Sequence, residues 1–341
     1  MGKPTVHDIA KEAGVSLATV DRVLNRRPGV RSTTVARVQA AIDKLGYVRD
    51  LYAANLARGR LYRIAFVLPD RKSQFLAALE DAVAEASRAL RLDRLDLQAV
   101  RVPPDDPVAV RRNFERLIRQ GVDGVAVMAD ETPMVRDMIA RLKAQGIAVV
   151  ALVTDQPNTG RDHFVGIDNI AAGRTAGVLM GRFLSQRRGA VMVMVNSTQA
   201  RDMVERRLGF DEVLAARFGG LEALPSLEGH DNFEETHRLA ARVLASRDDV
   251  VGIYCTGAGL RGVTQAVTES GRDDLVVVSH ELTAHSRAAL EAGLVDVVIN
   301  QNVGHLVRSA GRVLRAQCDG VDVIASQEVI RIEIVLKENL P

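Results

Sequence analysis

The chain has 341 residues, 47% of them hydrophobic and 26% charged, with no Trp, which is a globular composition long enough for two or three domains with sizeable cores. No apolar run approaches the roughly 18 residues that span a bilayer, and the opening MGKPTVHDIAKEAG has no apolar signal segment, so membrane insertion and export are not expected and the cytoplasm is. Residues 1–60 hold eleven Lys and Arg against five Asp and Glu, whereas the rest holds 34 against 38, so a basic head suited to a polyanion precedes a mildly acidic body.

Residues 5–25, TVHDIAKEAGVSLATVDRVLN, carry apolar positions at Val6, Ile9, Ala10 and Ala13, then at Val15, Val20, Val23 and Leu24. Helical spacing on both sides of Gly14 predicts a helix-turn-helix, with Gly14 supplying the turn and Ser16 the cap of a second helix from Leu17 to Asn25. Leu17, Ala18, Asp21 and Arg22 then point outward, where Arg22 could pair with a guanine edge and Leu17 and Ala18 could touch thymine methyls. Taken alone, the stretch also fits an ordinary helix pair with a solvated Arg22. A Pro-Gly loop follows, then a third helix over Ser32 to Leu45 with Val35, Val38, Ala41, Ile42 and Leu45 on one face, ended by Gly46.

From Tyr62 onward, short apolar runs alternate with amphipathic stretches. Strands are predicted at Arg63 to Leu68, Asp96 to Val102, Gly124 to Met128, Ala148 to Val153, Ala190 to Val195, Val250 to Cys255, Leu275 to Ser279 and Val297 to Ile299. Helices are predicted at Phe75 to Leu90, Val108 to Gln120, Met134 to Gln145 and Ala171 to Gln186. That alternation predicts parallel sheets covered on both faces, in two α/β lobes divided near His163 to Asp168, with Val329 to Leu336 crossing back.

VHDIAKEAGVSLATVDRVLN followed by VRSTTVARVQAAIDKLGYV resembles the DNA-binding head of LacI-family transcription regulators, and YVRDLYAANLARGR is similar to that family's hinge. The remainder resembles the family's periplasmic-binding-protein-like effector domain of ribose-binding type. The resemblance implies a small all-α helix-turn-helix DNA-binding domain at 1–46, a hinge at 47–61 and an α/β two-lobed effector-binding and dimerisation domain at 62–341. It implies DNA contacts from Thr5, Ser16, Leu17, Ala18, Thr19, Asp21, Arg22, Asn25, Arg31, Tyr47, Asn55 and Leu56, with Leu56 wedged into a kinked minor groove. Tyr52 to Ala57 is far shorter than the ~12 to 15 residues an isolated helix needs, so it is expected to order only on DNA. Two positions depart from the family: Asp21 stands where Ser is usual, and Arg49-Asp50 where Pro-Asn is usual.

Ligands of open parallel sheets bind beyond the carboxyl ends of the strands. Those ends offer Asp70, Arg71, Ser73 and Phe75, then Thr154 and Asp155, Asp168 and Asn169, His280 and Glu281, and Asn300 to Asn302. Similarity to ribose-type binding proteins puts Ser73, Phe75, Glu281 and Gln301 at ligand positions, and Asp155 and Asp168 complete the candidate effector set. Each alone also fits a solvated loop residue, and Asp168 a helix cap. The family's Arg before Gly-Phe is missing, since Val204 stands there; Arg201, Asp202 and Arg206 are the possible substitutes.

Gly257 to Gly262 spells GxGxxG, with Glu281 nineteen residues on, but it lies on a late strand, where a tight turn calls for glycines anyway. His280-Glu281-Leu-Thr-Ala-His285 spaces its histidines five apart rather than four, against a zinc helix. His230 with His237 fits a solvated helix start. Cys255 and Cys318 stand without paired spacing, so neither disulfide nor metal is expected, nor any cofactor. The resulting expectation is a LacI-type regulator, a repressor rather than an enzyme, whose partners are double-stranded operator DNA, a sugar or polyol effector and a second copy, with no membrane partner. The alternatives are a solute-binding transport protein, or an NAD-dependent dehydrogenase built on the Gly257 motif.

Overall fold

A computed structural model describes residues 4–24, 27–47, 60–90, 94–257 and 259–341. The chain divides into two compact units, Met1–Arg60 and Leu61–Pro341.

In the first unit, α1 (Val6–Ala13) begins at a capping box between Thr5 and Asp8 and ends on Gly14, in the left-handed region at φ 60°. Helix α2 (Leu17–Leu24) follows, started by Ser16 Oγ accepting from Thr19 N at 3.2 Å. Helix α3 (Ser32–Leu45) closes a core of Ile9, Ala10, Ala13, Val20, Val38 and Ala41, flanked by Val15, Val23, Leu24, Ile42, Leu45 and Tyr47. Val6 and Val35 are 38% and 39% exposed, because three short helices enclose too little volume to cover the ends of both apolar stripes.

The second unit holds two sheets. The first has the order β2-β1-β3-β4-β5, built from β1 (Tyr62–Pro69), β2 (Leu95–Val102), β3 (Gly124–Val127), β4 (Ala148–Leu152) and β5 (His163–Val165), all parallel. Its helices are α4 (Gln74–Ala89), α5 (Pro107–Gln120) and α6 (Pro133–Ala144). The second sheet begins after α7 (Asn169–Phe183) with β6 (Gly189–Val195), followed by α8 (Arg201–Arg217), β7 (Leu221–Ala223), β8 (Leu227–Glu228) and α9 (Phe233–Ser246). It continues through β9 (Val250–Cys255), α10 (Leu260–Ser270), β10 (Val276–His280), α11 (Ala284–Glu291) and β11 (Val297–Gln301). Helix α12 (Val303–Asp319) then packs back on α4, β3 and β4 of the first lobe, and β12 (Ile332–Val335) returns to the second sheet, antiparallel to β11. The chain thus passes between the lobes three times, a construction that leaves a cleft over the strand ends.

The central strands are buried along their whole length, as in Val125 to Val127 and Val149 to Leu152, which is why they read as continuous apolar runs. Strands β5, β7 and β8 were not expected. They are two or three residues long at the sheet margins, too short for any periodicity. The antiparallel β12 is the one exception to the all-parallel expectation among the described residues.

Candidate functional site

On the head, α2 presents Leu17, 42% exposed, with Ala18, Asp21 and Arg22 exposed beside it. Ser16 and Thr19 are joined at the helix cap, their hydroxyls 3.0 Å apart, and Thr5 caps α1. Asp21 lies 3.4 Å from Arg27, so the carboxylate at this position has a cation beside it. Arg31 is exposed at the start of α3, and Arg37 donates to the Gly14 carbonyl, tying the turn to that helix. Tyr47 is half-buried against the core. Asn25, Asn55 and Leu56 lie outside the described residues.

In the body, the cleft is built around the crossing of α7 and α8. A Cβ on Gly173 would sit 1.9 Å from the Arg206 carbonyl oxygen, and one on Gly209 would sit 2.1 Å from that of Ile170, so the two helices meet backbone to backbone only because both residues are glycine. That approach carries Arg206, 1% exposed, to the strand ends. Its Nε donates to Asn169 Oδ1 at 2.9 Å, Nη1 to the Thr256 carbonyl at 2.6 Å and Nη2 to Glu281 Oε1 at 3.1 Å. Gln301 Nε2 donates to the same Glu281 oxygen at 2.9 Å. Behind them Phe210 stacks on Tyr254 at 4.4 Å, and Tyr254 Oη meets His280 Nε2 at 2.9 Å. Burial holds the Glu281 carboxyl above the usual range, against the pull of Arg206, and holds His280 neutral, well below the usual histidine range.

The cleft is open to solvent at its mouth. From the first lobe come Ser73 and Phe75 at the start of α4, Thr154, and Arg71 with its Nη2 3.3 Å from Asp130 Oδ2. From the second come Asn196, Asp202, Arg206, Asp231 and Glu281. Burial raises the Asp202 carboxyl, and burial beside Asp202 and Asp130 pushes Asp231 up to about 6, against the pull of Arg71. At the rim, His285 N donates to Gln74 Oε1 at 3.2 Å, and Arg201 Nη1 lies 3.5 Å from Glu131, both joining one lobe to the other. Val153, Asp231 and Glu281 line the cleft at positive φ, 64°, 56° and 68°, a concentration of backbone strain at one site.

The structure brings Ser73, Phe75 and Glu281 together on the cleft and sets Gln301 behind Glu281. Asp155 is not among the residues lining the cleft; it forms a two-point ion pair with Arg161, with Oδ1 2.5 Å from Nε and Oδ2 2.7 Å from Nη2. Asp168 caps α7, accepting from Ala171 N at 2.9 Å, and is not among the residues lining the cleft. Among the substitutes for the missing Arg, Arg206 enters the cleft, whereas Val204 is 48% exposed on another face of α8. Asp130, Asn196 and Asp231 were missed. Asp130 and Asn196 follow the carboxyl ends of β3 and β6, so the same strand-end rule applied to those strands would have found them.

Residues 5–50 match the family model for bacterial regulatory proteins of the lacI family, and residues 64–322 match that for the periplasmic binding protein domain. The chain belongs to the periplasmic binding protein domain family, and its head matches the lacI-family model. It is 39% identical over 87 residues to the maltose regulon regulatory protein MalI of Escherichia coli, a stretch covering 26% of this chain and 25% of MalI, so it matches about a quarter of that relative's length. The second unit is similar in fold to a glucose-galactose binding protein from Geobacillus stearothermophilus, at TM-score 0.73 and 21% identity over 83% of this chain and 99% of that one. It is similar too to a solute-binding protein from Burkholderia graminis in complex with D-arabinose, at TM-score 0.74 and 22% identity over 82% and 96%.

In this chain the Gly257 motif has a packing explanation. Gly259 adopts φ 103° beside Thr236, and a Cβ on Gly262 would lie 2.6 Å from His237 N, so these glycines let α10 pack on α9. Glu281, nineteen residues on, lies in this cleft with its Oε1 held by Arg206 and Gln301. His280 ends β10 and His285 lies in α11, so the two do not share a helix.

Proposed function

We propose that this chain is a DNA-binding transcription regulator, a repressor, acting in the cytoplasm as a homodimer on a pseudo-palindromic operator. A small polyhydroxylated effector, a sugar or polyol, enters the cleft and alters the spacing of the two bodies and so the ordering of the hinges on DNA. The carrying observation is the presence on one chain of a helix-turn-helix whose second helix exposes Leu17, Ala18, Asp21 and Arg22 and a cleft lined by buried, hydrogen-bonding side chains. One head makes only a few base contacts, and two related by a two-fold axis multiply them. A solute-binding protein would need the cleft and not the head.

Selection of bound sites from a random double-stranded DNA pool tests this. Enrichment of an inverted repeat, with affinity falling by a log-log slope of about −0.9 per phosphate neutralised as salt rises, is the expected result. Arg22→Ala should cost about 1 to 3 kcal/mol and relax one base position. No enrichment, or salt-insensitive binding, would remove the proposal.

A further inference from the structure

The cleft gathers four carboxylates, Asp130, Asp202, Asp231 and Glu281, around two guanidinium groups. Both cations are already matched, Arg71 by Asp130 at 3.3 Å and Arg206 by Glu281 at 3.1 Å. Among the described residues, Asp202 and Asp231 have no ion pair of their own. Asp202 is 6% exposed in the first turn of α8, where burial raises its carboxyl and the helix N-terminus opposes that. Asp231 faces Arg71, Asp130, Asp202 and Asn196, and burial, with smaller contributions from Asp202 and Asp130, raises its carboxyl against the pull of Arg71.

A second observation is independent of charge. Asp231 Oδ1 and Glu281 Oε2 are fully buried and have no hydrogen-bond partner, although both residues line the cleft and Glu281 is 8% exposed. Buried acceptors left unmatched are costly, and a bound donor relieves that cost. A neutral hydroxyl would satisfy the hydrogen bonds and leave the excess negative charge. A phosphorylated ligand would add to the excess, since neither guanidinium is uncommitted. An ammonium group meets both demands at once, because it carries only donors and a positive charge.

We propose that the effector is a polyhydroxylated amine, an amino sugar or amino polyol, whose ammonium group sits against Asp231 and Asp202. Its hydroxyls meet Glu281 and Asn196, and Phe75 covers its apolar face. This rests on the cleft being the effector site.

Calorimetric titration of the full chain at about pH 7, where Asp231 is ionised, tests it with matched pairs. The pairs are D-glucosamine and D-glucose, D-galactosamine and D-galactose, D-mannosamine and D-mannose, and glucamine and sorbitol. At least one amine should bind about tenfold or more tighter than its hydroxyl twin. Asp231→Asn and Asp202→Asn should each bring that ratio toward one, with melting temperatures at or above that of the unsubstituted chain excluding unfolding as the cause. A hydroxyl member that binds as tightly as its amine twin, and keeps its affinity in Asp231→Asn, overturns the amine and leaves the cleft standing. Binding untouched by Phe75→Ala, or no binding by any member of the panel, overturns the cleft reading as well.

Discussion

The two walls of the cleft are made of different material. From the second lobe, Arg206, Asn169, Glu281 and Gln301 form a buried lattice in which one guanidinium holds three partners, fixed by the glycine-mediated contact of α7 with α8. From the first lobe, Ser73, Phe75 and Arg71 are half-buried at the end of β1 and the start of α4, and the Arg71–Asp130 pair retains 23% and 30% side-chain exposure. Side chains locked by packing present preorganised groups, while half-exposed ones adjust as a ligand is covered. The second lobe therefore supplies a fixed template and the first an adjustable cover, and a ligand that draws them together gains most from the lobe that moves onto it. That is the differential interaction with two arrangements that effector control needs.

If the second wall is the fixed one, damage to it should cost most. Arg206→Met leaves Glu281 buried without its cation and should destabilise the chain by about 3 to 5 kcal/mol in denaturant unfolding. A loss below about 1 kcal/mol would mean the lattice is replaceable, as exposed ion pairs are. The next effect is on pH. The Asp231 carboxyl stands at about 6 in the folded chain against an ordinary value of 3.8, so the folded state holds the extra proton and stability falls as pH rises from about 4 to about 6. Asp231→Asn removes that contribution. The variant should gain on the order of 1 to 3 kcal/mol near pH 7 and little near pH 4, measured by thermal unfolding without ligand. Equal gains at both pH values would assign the effect to packing.

On the adjustable wall, Phe75→Ala should weaken ligand binding by about 1 kcal/mol while shifting unfolding less than Arg206→Met does. The smallest effect belongs to a residue that only resembles a wall component. Asp155→Ala should leave ligand affinity unchanged and cost at most about 1 kcal/mol of stability, because its carboxylate faces Arg161 at a partly exposed site. A clear loss of ligand affinity would restore Asp155 to the cleft.

The same contrast explains what the sequence disclosed. Helix α3 runs over Ser32–Leu45 as its apolar spacing requires, and the buried central strands announce themselves as apolar runs. Glu281 and Phe75 were legible because strand ends locate ligand sites in parallel sheets. Arg206 was one of three candidates, and the choice depended on which face of α8 meets α7, a matter decided by Gly173 and Gly209 on two separate helices. Asp155 and Asp168 occupy the same kind of strand end as Thr154 and Asn169, yet their carboxylates turned to an Arg six residues on and to a helix amide. Local partners of that sort leave no mark in periodicity. Asp231 sits in a loop at φ 56°, where no repeat exists to be read.

The central claim is that occupancy of this cleft is linked to DNA affinity. Its most direct test is fluorescence anisotropy of a selected inverted-repeat duplex, titrated with the full chain in the absence and presence of the panel compound that binds the cleft most tightly. The account predicts at least about a fivefold change in operator Kd, and the same factor in ligand affinity when operator is bound. A compound that saturates the cleft and leaves the operator Kd unchanged would contradict it.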